Sequence, residues 1–241
     1  MHPLFYTGAL IALTAFFYPG RCAMSFPMVF NSILLFALFF APLVQAGDSM
    51  VITDFSTPVG ASGVPAGWEL KDKYGKADFA VVKDGDVAAG RFRSANTSFS
   101  LQKEVKVDLK QYPLLTWKWK VTRLPAGGDF RKSKTDDQAA QLFVAFSKTK
   151  AIVYIWDTTA PAGLMEDTSP VPFMTVKIVV VRSGPAELGK WLVETRNVYD
   201  DYKKLYGSEP PVVNGIRLQI NSQHTGTSAE SYFADVVFKR Q

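Results

Sequence analysis

The stretch Thr97–Leu109, TSFSLQKEVKVDL, alternates apolar and polar residues along most of its length. Side chains of a β-strand point alternately to its two faces, so this pattern predicts a strand with one apolar and one polar face. The apolar face holds Phe99, Leu101, Val105, Val107 and Leu109, and the polar face holds Ser98, Ser100, Gln102, Glu104, Lys106 and Asp108. One face of the sheet is therefore expected to cover a core and the other to meet water.

Similar short runs recur along the chain between turn residues. They are Phe79–Val82, Val87–Phe92, Leu114–Thr122, Gln141–Ser147, Ala151–Trp156, Phe173–Arg182, Trp191–Arg196, Ile216–Asn221 and Ser231–Lys239. The first two runs are joined by KDGD, whose Asp84-Gly85 pair favours a hairpin turn. About ten strands with short turns predict an all-β fold, an antiparallel two-sheet sandwich of the jelly-roll kind.

Trp117 and Trp119 lie on the same side of one predicted strand. They alternate with lysines, and their neighbours on that face, Leu115 and Val121, are aliphatic. A chain with a single cysteine forms no internal disulfide, so its fold needs the large apolar area that tryptophan rings bury. We therefore expect both rings in the core, and not on a ligand-binding surface.

One short helix is predicted in the segment RNVYDDYKKLYG. Asn197 is a plausible N-cap, the side chains of Val198, Tyr202 and Leu205 share one helical face, and Gly207 suits the C-terminal end. Two long irregular stretches are also expected, at Pro125–Thr135 and Asp157–Pro172. Loops of that length often carry function.

The first 46 residues have the composition of a targeting segment, with no acidic residue and a single basic one, Arg21. We predict a signal peptide over residues 1–46, cut after Ala46, with Met24 as an alternative start. A hairpin of two membrane segments is the other interpretation. The remaining residues 47–241 then form a single β-sandwich domain in a periplasmic or secreted protein.

Charge and cysteine content narrow the class of partner. Cys22, the only cysteine, lies in the targeting segment, so the exported domain has neither a disulfide nor a cysteine-ligated metal. The formal net charge of +5 suits an anionic polymer or a cell-envelope surface and is too small to indicate nucleic acid. Membrane contact is expected only through an uncleaved N-terminal segment.

The common catalytic motifs are missing. The chain contains no G-x-S-x-G, P-loop, H-E-x-x-H or Gly-rich dinucleotide fingerprint, and His224 is the only histidine beyond the targeting segment. The usual sequence support for a hydrolase, NTPase, zinc protease or Rossmann enzyme is therefore absent.

Two groups of residues are candidates for a ligand site. Asp136 and Asp137 precede a strand, where paired carboxylates bind calcium, serve as acid and base, or simply hydrogen-bond a turn. Tyr154 and Trp156 share a strand face, as a sugar-stacking surface or as core with one buried hydroxyl.

A third group lies at the turn from a strand into the helix. Arg196, Asn197 and Asp201 are concentrated there, and we expect Arg196 to pair with Asp136 or Asp137. Such pairing makes either a structural ion-pair network or a polar binding floor.

These motifs together resemble an exported bacterial family that is known only as a domain of unknown function. The resemblance rests on an ordered set of short motifs: W-x-W at Trp117 and Trp119, Asp136-Asp137-x-Ala139-Ala140, Tyr154-x-Trp156, Arg196-Asn197-Val198-Tyr199-x-Asp201-Tyr202, Gly207 and the final YFADVVF. It is similar in pattern to carbohydrate-binding jelly rolls, which implies that Asp54 and Asp235 hold a structural calcium. The family's acid-rich loop before the last strand is replaced by NSQHTGTSAES, where Asn221, Gln223 and His224 remain as hydrogen-bonding groups.

The sequence leaves three functions open. The first is an exported, non-catalytic binding module for a glycan or other cell-envelope polymer. The second is a carbohydrate-active hydrolase or lyase that uses Asp136 or Asp137 with Glu194 or Asp201. The third is a structural envelope protein that binds a protein partner. No cofactor other than calcium is expected.

Overall fold

The computed structural model describes residues 47–57, 59–168 and 175–241. They belong to a compact unit spanning Gln45–Gln241. Six strands form the first sheet: β1 Ser49–Thr53, β3 Asp78–Asp84, β4 Val87–Ala95, β6 Leu114–Arg123, β11 Leu192–Asn197 and β13 Ser228–Lys239. Seven form the second: β2 Glu69–Tyr74, β5 Ser98–Val107, β7 Ala140–Ala145, β8 Lys150–Asp157, β9 Met165–Thr168, β10 Thr175–Ser183 and β12 Val213–Asn221.

The strand order is β11-β6-β13-β4-β3 in the first sheet, with β1 also pairing with β13, and β2-β5-β12-β7-β8-β10-β9 in the second. The chain crosses between the two sheets several times, for example from β4 to β5 and from β5 to β6. The two sheets share one hydrophobic core. The predicted all-β two-sheet sandwich is confirmed. The KDGD hairpin is also present, joining β3 to β4 with Gly85 at a φ of 62°.

One strand pair departs from the antiparallel prediction. β10 runs parallel to β8, with Ile178 beside Val153, and pairs antiparallel with β9 on its other side. Parallel neighbours need a long connection, which the segment after Asp157 supplies. That segment was expected to be irregular up to Pro172, but its described part contains β9.

Trp117 and Trp119 lie in the core, as the alternation on β6 predicts. Both side chains are 0% exposed. The two rings meet edge to face at 5.3 Å, and they reach across to the second sheet, where Trp117 contacts Tyr154 and Trp119 contacts Trp156. The tryptophans therefore join the two sheets.

The expected division of β5 into a dry and a wet face holds only in part. Phe99, Leu101 and Val107 are buried, and Glu104 is exposed, as predicted. Ser98 and Ser100, on the polar face, are nevertheless buried. Ser98 lies between Tyr74 of β2 and Asn221 of β12, and Ser100 lies between Lys71 and Gln219, so longer side chains flank both serines.

The single predicted helix is present as α1, Val198–Tyr206. The side chain of Asn197 accepts a hydrogen bond from the backbone N–H of Asp200, and Gly207 ends the helix at a φ of 66°. Tyr202 packs on Phe146 with ring centroids 4.6 Å apart, which fixes α1 to the second sheet. A short 3-10 helix, Ser133–Thr135, lies in the loop before β7.

The predicted signal peptide and its cleavage after Ala46 lie outside the described residues. Among the residues that are described, no helix is long and apolar enough to cross a membrane.

Candidate functional site

The outer face of the second sheet carries an ordered array of side chains. On β12, Arg217, Gln219 and Asn221 occupy this face because the residues between them belong to the core. Strand register places Gln219 between Ser100 of β5 and Gln141 of β7. The adjacent row places Arg217 between Gln102 of β5 and Phe143 of β7. Three strands distant in sequence thus build one polar surface.

The same face becomes apolar beyond β7. Val153 and Ile155 of β8 and Ile178 and Val180 of β10 form a second hydrophobic cluster, which Phe130 and Ala160 join from the loops before β7 and after β8. This apolar half is buried, since the exposure of each residue is below one tenth. An open surface is therefore found on the polar half.

The amide side chains of the polar half form one chain of hydrogen bonds. Lys73 Nζ donates to Gln219 Oε1 at 2.6 Å, and Gln219 Nε2 donates to Gln141 Oε1 at 3.2 Å. Gln141 Nε2 donates to Asn221 Oδ1 at 2.5 Å, and Asn221 Nδ2 donates to Asp137 Oδ1 at 3.0 Å. Each group is oriented by the next, which makes the floor of this face rigid.

Asp137 fixes the loop between β12 and β13 to the start of β7. Its carboxylate is fully buried and accepts hydrogen bonds from the backbone N–H groups of Thr225 at 2.6 Å and His224 at 3.3 Å. The His224 ring, which is largely exposed, lies 3.4 Å from the same carboxylate. Asp136 accepts from Gln138 Nε2 at 2.9 Å, and burial raises the pKa of its carboxyl group. For Asp137, the backbone-bonding role left open by the sequence is what the structure shows.

A groove of about 750 Å³ lies beside the amide chain. Its floor includes the small residues Ala145, Ala151 and Gly215 together with Phe143 and Arg217. The other residues that line it are Gly67, Glu69, Gln102, Lys103, Glu104, Lys106, Ser147, Lys148, Thr149, Lys150, Val176, Asn214 and Ile216. Its volume is within the range of small-molecule binding sites.

Arg217 is the most unusual group of the groove. Its guanidinium carbon lies 3.5 Å from the centroid of the Phe143 ring. The Nε atom is buried without a hydrogen-bond partner, and burial lowers the pKa of Arg217 to about 10. Lys73 lies nearby. Burial of its ammonium group, and then the charge of Arg217, lowers the pKa of Lys73 to about 8, although the residue as a whole is exposed. Two neighbouring cations thus lie on the sheet without a carboxylate between them.

Of the residues proposed from sequence, Asp136, Asp137, Asn221 and His224 come together at one end of this face. Besides its contact with Asp137, Asn221 donates to the backbone carbonyl of Asp136 at 2.7 Å and accepts from the backbone N–H of Gln138 at 2.9 Å. His224 Nδ1 lies 2.9 Å from that same carbonyl. The four residues form a hydrogen-bonded cluster next to the amide chain.

Tyr154, Arg196 and Asp201 form a separate, internal cluster. The Tyr154 hydroxyl donates to Asp201 Oδ2 at 2.8 Å, and Arg196 donates to both carboxylate oxygens of Asp201, with Nε at 2.9 Å from Oδ2. Burial, then the charge of Asp201, raises the pKa of Tyr154 well above its usual value. The expected pairing of Arg196 with Asp136 or Asp137 is wrong. The network that forms instead joins Asp201 of α1 to Arg196 of β11 and Tyr154 of β8.

Tyr154 and Trp156 are both 0% exposed, so neither offers a sugar-stacking surface. Trp156 Nε1 donates to the carbonyl of Gly184 at 3.1 Å. The alternative interpretation, a core with one buried hydroxyl, describes Tyr154 correctly. Asn197, another ligand candidate, is the helix N-cap.

The two calcium candidates have partners of their own. Asp54 accepts hydrogen bonds from the backbone N–H and the hydroxyl of Ser56, and Asp235 pairs with Lys118 Nζ at 2.7 Å. Within residues 47–57, 59–168 and 175–241, no group of three or more His, Cys, Asp or Glu side chains is arranged to hold a metal ion. Calcium bound through Asp54 and Asp235 stays a prediction.

The carboxylates proposed as catalytic partners are held in ion pairs. Glu194 is 8% exposed and accepts from Arg182 Nε at 2.7 Å and from Trp119 Nε1 at 3.0 Å. Asp201 is similarly paired with Arg196. Asp137 accepts hydrogen bonds from the backbone N–H groups of His224 and Thr225, so Glu194 and Asp137 belong to separate hydrogen-bond networks.

Phe143, Arg217, Gln141 and Gln219 were not identified from the sequence. One signal was present, because Arg217, Gln219 and Asn221 occupy alternate positions of a predicted strand whose other face is aliphatic. That alternation marks a polar face. It does not indicate that Phe143, from a different strand, lies beside Arg217.

The fold is a β-sandwich of the jelly-roll class. It has two facing sheets, a chain that passes repeatedly between them, and one short α-helix among the described residues. The family model described as protein of unknown function (DUF3047) matches residues 66–237, and the chain belongs to this family. The resemblance to a family of unknown function, inferred from the W-x-W and following motifs, is thereby confirmed. No curated protein matches the chain.

Several solved structures are similar to this chain over most of its length. The xyloglucanase domain of NopAA, a type three effector from Sinorhizobium fredii in complex with cellobiose, has 9% sequence identity and a TM-score of 0.46, covering 73% of this chain and 94% of that one. A family 30 carbohydrate-binding module of a Clostridium thermocellum cellulase has 11% identity, a TM-score of 0.41 and coverages of 80% and 98%. The family 11 xylanase from Neocallimastix patriciarum has 12% identity, a TM-score of 0.39 and coverages of 81% and 97%. The likeness is one of fold alone.

Proposed function

We propose that this chain is an exported, non-catalytic module that binds a glycan of the cell envelope in the groove on the outer face of the second sheet. The observation that carries the proposal is the groove itself, whose lining joins small apolar residues to the amides of Gln102 and Asn214 and to several cationic side chains. Sugars present both apolar C–H faces and hydroxyl groups. A site for them therefore combines apolar surface with fixed hydrogen-bonding groups.

The shape of the groove suits a polymer more than an enclosed metabolite. It lies on a sheet face and is bounded by residues from β2, β5, β12, β7, β8 and β10. The floor residues Ala145, Ala151 and Gly215 project little, so a chain of sugars has room to lie across the strands. Periplasmic or secreted location, which the N-terminal segment predicts, is part of this proposal.

Filling the groove tests the proposal without changing charge. In Ala145→Trp, the new indole occupies the groove floor, whereas in the control Val193→Trp it extends from a residue that is 63% exposed on the first sheet. Affinity electrophoresis in gels containing envelope and plant polysaccharides should show retardation of the wild type and of the control, with loss in Ala145→Trp. Lack of retardation of the wild type by every polysaccharide, or equal retardation of both variants, would contradict the proposal.

A further inference from the structure

The groove is lined by more positive charge than the described residues neutralise. Five cationic side chains border it, Lys103, Lys106, Lys148, Lys150 and Arg217, against two carboxylates, Glu69 and Glu104. Glu69 already pairs with Lys71. Of the two carboxylates, only Glu104 is then left to balance the five cationic side chains of the groove.

The contacts of these cations are to neutral groups. Lys103 Nζ donates to the backbone carbonyl of Ile52 at 3.0 Å, Lys106 Nζ to the side-chain oxygen of Asn214, and Lys150 Nζ to the Tyr202 hydroxyl at 3.3 Å. None of the five forms an ion pair with a described residue. Neutral acceptors orient an ammonium group without cancelling its charge, so the positive potential extends into the groove.

Arg217 is the cation whose environment most requires a counter-ion. Its guanidinium carbon lies 3.5 Å from the centroid of the Phe143 ring, and no described side chain or carbonyl accepts a hydrogen bond from the guanidinium. A partly buried guanidinium has lost water and gained no anion in exchange. A planar carboxylate is the group that matches its donors best, since two parallel hydrogen bonds are possible.

We propose that the groove binds an acidic glycan, a polymer of uronic acid residues, with one sugar carboxylate on Arg217 and further carboxylates near the flanking lysines. This inference rests on the proposed glycan-binding function and specifies its ligand class. The hydroxyl groups of the same sugars lie near Gln102, the neighbour of Arg217 on β5, whose amide nitrogen donates to Glu69 at 3.0 Å and so orients its carbonyl oxygen. Long-range attraction by the lysines raises the rate of encounter, and Arg217 supplies the selectivity for carboxylate.

The test compares polymers that differ only in charge. Polygalacturonate and alginate are each paired with their carboxyl-reduced forms, which keep the linkages and lose the carboxylates, and dissociation constants are measured for the full chain by affinity electrophoresis and calorimetry. We expect at least one acidic polymer to bind tenfold or more tightly than its reduced form. Arg217→Gln should remove most of that preference, because the affinity for the acidic polymer falls by a larger factor than the affinity for the reduced form.

Arg91→Gln is the control of equal charge change, because Arg91 is also a partly buried arginine with an unpartnered Nε, on the outer face of the first sheet, where its Nη2 lies 3.5 Å from Asp78 Oδ1. It removes the same charge and should retain the preference, and thermal unfolding shows whether each variant is folded. Arg217→Lys should recover only part of the preference, since a lysine keeps the charge without the planar donors.

Equal binding of acidic and reduced polymers, equal losses in Arg217→Gln and Arg91→Gln, or stronger binding to dextran sulfate would overturn this inference. Retention on neutral polysaccharides alone would overturn it while leaving the glycan-binding proposal intact. Retention on no polysaccharide at all would contradict both.

Discussion

The guanidinium of Arg217 and the ring of Phe143 are cross-strand neighbours on β12 and β7, stacked 3.5 Å apart on the outer face of the second sheet. Phe143 is 8% exposed, so the ring is nearly covered and the arginine forms the surface above it. An aromatic face holds a cation in place without neutralising it. The pair therefore presents a fixed positive group to the groove.

Replacing Phe143 by leucine should weaken binding of the glycan while preserving the fold. Leucine fills much of the ring's volume, so the free energy of unfolding should change by less than about 1.5 kcal/mol. The lost cation–π contact is worth about 1 kcal/mol, and the freed guanidinium becomes mobile. Affinity electrophoresis should show a weakening of roughly fivefold or more. Unaltered affinity in a folded Phe143→Leu protein would show that the stack does not position Arg217 for the ligand.

The core tryptophans give a second prediction. Trp119 is 0% exposed and contacts Trp117, Trp156 and Phe233. Trp119→Ala should lower the free energy of unfolding by about 3 to 5 kcal/mol, because it leaves a large cavity between the sheets. Equilibrium unfolding in urea measures the change. The control Val193→Ala, at an exposed position of the neighbouring strand, should change the free energy of unfolding by less than about 0.5 kcal/mol. A similarly small change for Trp119→Ala would show that Trp119 does not hold the two sheets together.

The sequence predicts the faces of this sandwich better than the neighbours within it. Alternation on β6 places Trp117 and Trp119 in the core, and the Asn197 and Gly207 caps locate the helix correctly. These features are encoded locally, by side-chain period and by capping groups. The order of strands depends on contacts between distant segments, so the parallel placement of β10 beside β8 had no local signal.

The candidate site was harder to predict for the same reason. On β8, both Tyr154 and the alternating Val153 are buried, because loops cover the outer face at Val153 while the first sheet covers Tyr154. Sequence alone does not show which side of such a strand is open. Asp137 and Asn221 are visible in the sequence as polar residues at strand ends, but the partners of Arg217 follow only from strand register.

The internal cluster around Asp201 gives a third prediction. Arg196→Met should lower the free energy of unfolding by about 3 kcal/mol, because it leaves a carboxylate buried beside the Tyr154 hydroxyl without its cation. Adding Asp201→Asn to that variant should restore part of the loss, since the uncompensated charge is removed. Urea unfolding of the two single variants and the double variant forms a double-mutant cycle. Strict additivity would mean that the Arg196 and Asp201 side chains are not coupled.

The loop before β7 gives a prediction on pH. Asp129 is 1% exposed, and the hydrogen bonds and charge of Arg131, then those of Lys132, hold the pKa of its carboxyl group below the usual range. A carboxyl group whose pKa is depressed by folding stabilises the fold above its unfolded pKa of about 4, and this contribution is lost as the pH falls. Asp129→Asn should therefore be less stable than the wild type at pH 7, with the difference narrowing between about pH 5 and pH 3.

Urea unfolding across this pH range measures the difference in the free energy of unfolding. The control of equal charge change is Asp86→Asn, since Asp86 is an exposed carboxylate at the β3–β4 turn. A difference that stays constant with pH would show that the effect of Asp129 does not come from the charge of its carboxylate.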